Sequence, residues 1–331
     1  MNSKSYRQLL RESFKSNETE EWLDVWFTRP IGLALALVCG RLGITPNAIT
    51  IAGILIGMAG GWMFHYTDLW HNLFGVALMM TANFCDSADG QLARLTNQKT
   101  LVGRLLDGFA SDAWFTCIYL SVIYRLWNEP MPLHSLCSLL NVPCPTWGLW
   151  AFVLCAIAAL LCHSTQCAVA DYYRQIHLWF LKGDGGSELS SYASEQRIYE
   201  ELRDGKRDTS GQTVVWGWTF ERLYHFFYKG YCKKQERLTP RFQQFFAHFR
   251  SLPTDAPQAS STRAQFLAGS CPLMPLTNIL THNTRAFALF IAALVNILWL
   301  YPLFEIVVLQ PLYWWMRYRH EQLCQSLEAK I

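Results

Sequence analysis

Residues 85–112 read CDSADGQLARLTNQKTLVGRLLDGFASD, and the sequence on either side is almost entirely apolar. Leu69–Ala88 runs into the stretch and Val102–Trp127 runs out of it. Each matches the roughly 20 apolar residues that a membrane-spanning helix needs. Asp86, Asp89 and Asp107 therefore stand at or just inside a membrane edge. A charge at mid-bilayer costs about 2.5–3.5 kcal/mol or more, and somewhat less near the surface. Three acids so placed call for a compensating partner, and a pair of divalent cations bound to phosphate would supply one.

The spacing fits that chemistry. Asp86 and Asp89 are i and i+3 and share one helix face, with Ala93 and Arg94 on the next turn. Gly90 and Ala93 leave room for a ligand backbone or flat ring to come close, and Arg94 offers a fork of donors to phosphate. Asp107 enters from the neighbouring helix and closes a carboxylate cage. Hard oxygen ligands suit magnesium or manganese.

Outward from this stretch, Pro46–Tyr66 and Trp147–Ala170 are two further apolar spans. Ala286–Met316 is apolar for too long to be one, and Pro302 at its middle divides it into Asn283–Leu300 and Pro302–Met316. Six spans result. Residues 128–146 lack Lys and Arg, whereas the N-terminus, Arg94–Lys99 and Tyr173–Arg285 are rich in them. The positive-inside rule puts both termini, the Arg94 loop and the long stretch in the cytoplasm, as an even number of spans requires. Before the first span, Glu21–Leu42 mixes Trp, Arg and apolar residues. It reads as a helix lying in the membrane interface, interrupted at Arg29–Pro30.

The expected fold class is thus all-α and polytopic, with six transmembrane helices. Its parts are an N-terminal cytoplasmic and interfacial segment (1–45), spans one to four (46–175), a cytoplasmic helical insert (176–282), spans five and six (283–318) and a tail (319–331). In the insert, Gly183–Gly186 is a flexible exit, and Ser190–Asp204 and Arg241–Arg250 look helical. Val215–Leu238 interleaves aromatics with Arg and Lys. That pattern suits either contact with lipid headgroups or cover for the site, or a small subdomain with an aromatic core.

Composition agrees. Of 331 residues, 51% are hydrophobic and 16% charged, against about 25% charged in soluble domains. Disorder is excluded by the apolar content, and a net charge of +3 is too small for nucleic acid as the main partner. The eleven cysteines include no Cys-x-x-Cys pair, which leaves no zinc or redox motif. Cys137 and Cys144 share a loop and could pair if that loop faces an oxidising space. The polar start, MNSKSYRQLLRESFK, is unlike a cleaved signal peptide.

Asp86-x2-Asp89-Gly90-x2-Ala93-Arg94-x8-Gly103-x3-Asp107 resembles the signature of the CDP-alcohol phosphatidyltransferase family, matching its first seven fixed positions at the family's spacing. The six-helix layout, the interfacial helix and the Pro46-Asn47 opening of the first span are also similar to that family. The resemblance covers roughly 20–175 and 283–320. It implies a homodimeric, multi-pass enzyme of phospholipid biosynthesis with a two-metal magnesium or manganese site. Such an enzyme displaces CMP from a CDP-linked lipid donor with a polar alcohol acceptor at the cytoplasmic face, here of a bacterial inner membrane. Carried over by position, Asp86, Asp89 and Asp107 would be metal ligands. Asp86, Asp89, Gly90, Ala93, Arg94 and Gly103, with Asn47, would shape the nucleotide pocket.

The eighth position departs. The family expects an aspartate there as general base, but this chain has Ser111, with Asp112 one residue later. In a regular helix i+4 lies about 40° from Asp107 and i+5 about 140° away. A π-bulge eased by Gly108 would restore Asp112 as base and metal ligand. Alternatively Ser111 holds a metal-bound water while another group such as His163 takes the proton, or the protein binds without turnover. Acceptor-side candidates are Arg104, His163, Gln166 and Arg174, beside Lys99. The motif admits CDP-diacylglycerol with inositol phosphate, glycerol phosphate or serine as acceptor, or a CDP-ethanolamine- or CDP-choline-type donor acting on a lipid alcohol. A transporter or scaffold is the competing class, but the chain shows no repeated halves.

Overall fold

The structure, a computed structural model, describes residues 6–12, 18–19, 21–98, 100–204, 215–253 and 256–331. Among them there is no β-strand; one isolated bridge pairs Pro130 with Thr146. The main helices are α1 (Arg29–Arg41), α2 (Pro46–Met63), α3 (Leu69–Leu95), α4 (Leu101–Leu126), α5 (Leu149–Lys182), α6 (Tyr192–Arg203), α7 (Val215–Leu238), α8 (Pro240–Ser251), α9 (Pro257–Ser270), α10 (His282–Leu294) and α11 (residues 300–328). They form two compact units. The first holds Glu21–Ser164 and His282–Leu309, and the second Thr165–Thr281 and Gln310–Ile331, with short N-terminal pieces in each. Residues expected in the insert thus share the second unit with the ends of α5 and α11.

In the first unit α2 packs against both α3 and α4, and α1 packs on α3. Close approach is possible because α2 presents glycines to its neighbours, the small-residue packing common between membrane helices. The tightest contact is at Gly57, where an added Cβ would lie 2.2 Å from Trp114 Nε1. Trp114 is buried and donates its indole N–H to the Gly53 carbonyl at 3.2 Å. Gly57→Ala is therefore expected to cost about 1–3 kcal/mol of stability through overpacking, read as a lower thermal midpoint in detergent. Gly108→Ala is the control: nothing lies within 4 Å of its Cβ position. A midpoint for Gly57→Ala equal to that of Gly108→Ala would contradict this packing.

α2 and α5 are long and apolar enough to cross a membrane. α3 and α4 reach 27 and 26 residues, but the charges of the quoted stretch and Arg125 dilute their apolar content. The first unit also exposes Leu55, Trp70, Phe74, Leu120, Leu160, Leu161 and Ile291, a surface suited to lipid rather than water.

Two expectations need correction. The last apolar run breaks at 295–299, with Asn296 in the left-handed region at φ 64°, not at Pro302. Pro302 sits in the first turn of α11, where its missing N–H costs nothing. Arg29–Pro30 does not interrupt its helix: a π-turn, Asp24–Thr28, precedes Pro30 and leads directly into α1. Widening the ladder there accommodates the proline ring. Cys137 and Cys144 are both free thiols.

The second unit has an aromatic core of Phe180, Phe242, Phe245, Phe249 and Phe266, so the insert helices α8 and α9 are packed elements. His320 stacks on Tyr173 at 3.8 Å, and burial, with His177 nearby, pushes its pKa down to about 3. Exit from α5 runs through Gly183 at φ 76°.

Candidate active site

The site is assembled around the N-terminal end of α2. Thr45 has an extended backbone, and its side chain accepts the Ala48 N–H at 3.4 Å, capping the helix with Pro46 as the first helical residue. This start fixes the register of Asn47 and Thr50 on the two following turns. Thr50 donates its hydroxyl to Asp89 Oδ2 on α3 at 2.5 Å, and both side chains are buried. On the other side, Asn47 meets the start of α4. A Cβ on Gly103 would lie 2.8 Å from Asn47 Oδ1, and Thr100 bridges the two. Its hydroxyl donates to Asn47 Oδ1 at 3.4 Å and accepts the Gly103 N–H at 3.0 Å, capping α4. A side chain at 103 would have to displace the Asn47 amide and the Thr100 hydroxyl.

Gly90 differs. A Cβ there would meet only the Arg94 guanidinium, at 3.5 Å and 3.9 Å, which is ordinary contact. Arg94 therefore folds back one helical turn over Gly90, and no neighbour in the protein requires residue 90 to be glycine. Asp107 and Arg94 both lie within electrostatic reach of Asp89. Asp86 and Ala93 are half-buried on α3; Arg104, Asp107, Ser111 and Asp112 are exposed along α4. α1 braces the motif from behind: Gln91 donates to the Arg29 carbonyl and to the Ser87 hydroxyl, each at 3.0 Å.

α4 is a regular α-helix from Leu101 to Leu126, so the bulge expected between Asp107 and Asp112 is absent. Its buried positions Ala110, Ala113, Trp114 and Ile118 keep the 3.6-residue rhythm, and an inserted residue would rotate one end of that stripe out of the core. Ser111 consequently shares the Asp107 face and Asp112 stands about 140° away. The π-turns that do occur fall at Asp24–Thr28, Ile157–His163 and Glu305–Leu309. Among the described residues, no three His, Cys, Asp or Glu side chains converge on one point.

Three of the acceptor-side candidates, His163, Gln166 and Arg174, are engaged elsewhere. His163 Nδ1 lies 3.2 Å from Glu305 Oε1 and 3.3 Å from the Tyr119 hydroxyl. Glu305 also accepts from Arg285 Nη1 at 2.5 Å, from the Tyr301 hydroxyl at 2.8 Å and from the Tyr119 hydroxyl. The five side chains form one buried network inside the first unit. In the second unit, Gln166 donates to Gln310 at 2.7 Å and Arg174 to Asn278 at 3.0 Å. Lys99 is outside the described residues. Sequence reading missed Thr50, Thr100 and the Glu305 network; an acid within an otherwise apolar run was the available signal for the last.

Comparison with known proteins gives the class. The family model described as CDP-alcohol phosphatidyltransferase matches residues 43–217. The chain belongs to the CDP-alcohol phosphatidyltransferase family. Proteins of this family are membrane-integral phosphatidyltransferases that generally work with divalent cations. The chain is 40% identical over 77 residues to a protein of Pyrococcus horikoshii named archaetidylinositol phosphate synthase. That match spans 23% of this chain and 37% of the relative. No solved structure matches the chain.

Proposed function

We propose that this enzyme transfers the phosphatidyl-type group of a CDP-linked lipid to a phosphorylated polyol, inositol phosphate first, and releases CMP. The observation that carries the reading is that Asp89, which accepts a hydrogen bond from Thr50 of α2, lies within electrostatic reach of both Asp107 and Arg94. The relative's name supports an inositol phosphate acceptor over a neutral one. In the step, the acceptor oxygen bonds to the lipid-side phosphorus as the bond from that phosphorus to the CMP oxygen breaks, and the acceptor hydroxyl's proton passes to solvent water.

The chemistry of the donors suits a divalent cation: Asp89 and Asp107 come from two helices and interact electrostatically, and all candidate donors are hard oxygens, although no three of them converge among the described residues. Asp86, Asp89 and Asp107 would hold magnesium or manganese. When bound, the metal neutralises the pyrophosphate and stabilises the leaving CMP oxygen. Gly90 and Ala93 let the flat base approach α3, with Asn47 and Gly103 forming the opposite wall. Arg94 offers paired donors to phosphate, and exposed Arg104, one residue past Gly103, faces the acceptor's phosphate. Ser111, on the Asp107 face, orients the attacking hydroxyl. The active unit is a homodimer.

CMP release by purified protein in lipid, with CDP-diacylglycerol and an acceptor panel, tests this. Release should need inositol phosphate or glycerol phosphate and a divalent cation, and a chelator should stop it. Ser111→Ala should lower the maximal rate, and Asp112→Asn should leave it near that of the parent. The reverse order would mean that α4 bulges when substrate binds. Release with CDP-ethanolamine or CDP-choline and a lipid alcohol, but not with CDP-diacylglycerol, would replace the donor assignment.

A further inference from the structure

The amphipathic helix α7 lies almost wholly beyond the family match, and its two faces differ in an informative way. One face, Tyr224, His225, Cys232 and Gln235, is buried within the second unit. His225 meets Glu195 of α6 at 2.6 Å, and Gln235 donates to the Ala168 carbonyl of α5 at 2.9 Å. The helix is therefore anchored, and its orientation is set by side-chain contacts rather than by helix propensity alone.

The opposite face leaves Leu223, Phe226 and Phe227 exposed at 44%, 49% and 62%. These are i, i+3 and i+4, one contiguous stripe. Further along the same face come Gly230, Lys233 and Arg237, all exposed. From Glu221 to Leu238 the chain carries five basic residues and two acidic ones. One of the acids, Glu236, is turned toward α6, where it accepts the Tyr192 N–H at 2.7 Å. Cations also flank the aromatics: Lys229 Nζ lies 3.8 Å from the Tyr199 ring centroid and 5.3 Å from that of Phe226. Arg222 lies 5.9 Å from Tyr199.

A water-facing helix does not ordinarily gather three large apolar side chains beside a basic row. Apolar anchors at headgroup depth, with Lys and Arg reaching for phosphates, make up the interfacial helix of a peripheral anchor. The enzyme's family is membrane-integral, so a bilayer surface is at hand.

We propose that the Leu223–Phe226–Phe227 face of α7, with Lys229, Lys233 and Arg237, docks on an anionic bilayer surface and ties the second unit to it. The occupant is lipid because the exposed face joins apolar depth to positive charge, which anionic headgroups complement. This inference stands apart from the substrate assignment, since none of these residues belongs to the candidate active site.

The test uses the full chain, reconstituted into vesicles of phosphatidylcholine alone or mixed with phosphatidylglycerol. A photo-reactive benzoylphenylalanine replaces Phe227, and a second variant carries it in place of the buried Tyr224. On irradiation, position 227 should form lipid adducts, read by mass spectrometry, in larger yield in the anionic vesicles. Position 224 should react only within the chain. Adding Lys233→Glu and Arg237→Glu should cut the lipid yield at 227 by roughly fivefold per residue, as expected for a basic side chain near an anionic surface. Each variant's helix content and thermal midpoint should match the parent. Adducts at 227 confined to the chain would overturn the proposal. So would adducts joining two copies, or a lipid yield indifferent to vesicle charge and to charge reversal.

Discussion

Asp89→Asn is expected to lower CMP release by roughly 10²–10³-fold or more, the scale of losing one preorganised electrostatic contact in a reaction centre. The substitution keeps the shape of the side chain and an oxygen for the Thr50 hydroxyl, which donates to Asp89 at 2.5 Å. It removes the charge. Because that carboxylate is buried and shares its surroundings with Asp107, the variant should unfold no earlier than the parent. Its defect should instead appear as lost stabilisation by ligand: manganese with a CDP-lipid should raise the parent's thermal midpoint through binding to the native state, and leave the variant's unmoved. Thr50→Val should fall between, losing roughly tenfold to a hundredfold, the scale of one hydrogen bond to a charged group. Undiminished CMP release by Asp89→Asn would remove the carboxylate from the reaction and with it the present reading of the site.

Glu305→Gln should damage stability instead. Glu305 and Arg285 are both fully enclosed, 2.5 Å apart, and two tyrosines and His163 point at the same carboxylate. Breaking a buried ion pair from one side leaves an uncompensated charge and costs about 3–5 kcal/mol. A large fall in the thermal midpoint in detergent is expected, with early aggregation on size exclusion. Removing both charges removes that penalty. The double variant Arg285→Leu, Glu305→Leu should therefore be more stable than either single replacement. If the double variant is the worst of the three, the pair contributes net attraction and not merely mutual compensation.

These two positions also show what the sequence could reveal. Asp89 was legible because its chemistry is written in local spacing: i, i+3 on one helix, then a glycine and an arginine at fixed offsets. The helices that carry it were legible from apolar length. Thr50 was not: its hydroxyl lies 3.1 Å from the Pro46 carbonyl of its own preceding turn, the ordinary partner of a threonine in an apolar helix, and only the packing of α2 on α3 brings Asp89 within reach as well. Glu305 and Arg285 stand 20 residues apart, and only the turn at 295–299 makes them partners. That turn depends on Asn296 accepting a left-handed conformation, which competes poorly in a sequence reading with so visible a breaker as Pro302. The π-turns were equally hidden. Helix widening at Asp24–Thr28 follows from a proline, but at Ile157–His163 and Glu305–Leu309 it coincides with residues of the buried network. The bulge sought at Asp107–Asp112 lost to an unbroken core stripe. On the second unit, aromatic content identified the core without saying which rings would remain outside it.

Gly57 and Gly90 are the same residue type on neighbouring helices, yet they answer to different judges. A methyl group at 57 collides with an indole ring, and one at 90 meets only the edge of a flexible guanidinium. A library of alanine substitutions sorted by expression would discard the first and keep the second. Sorted by growth under demand for the lipid product, it would reject both. The difference between the two sorted lists is a map of where a visitor touches the protein, obtained without seeing that visitor bound.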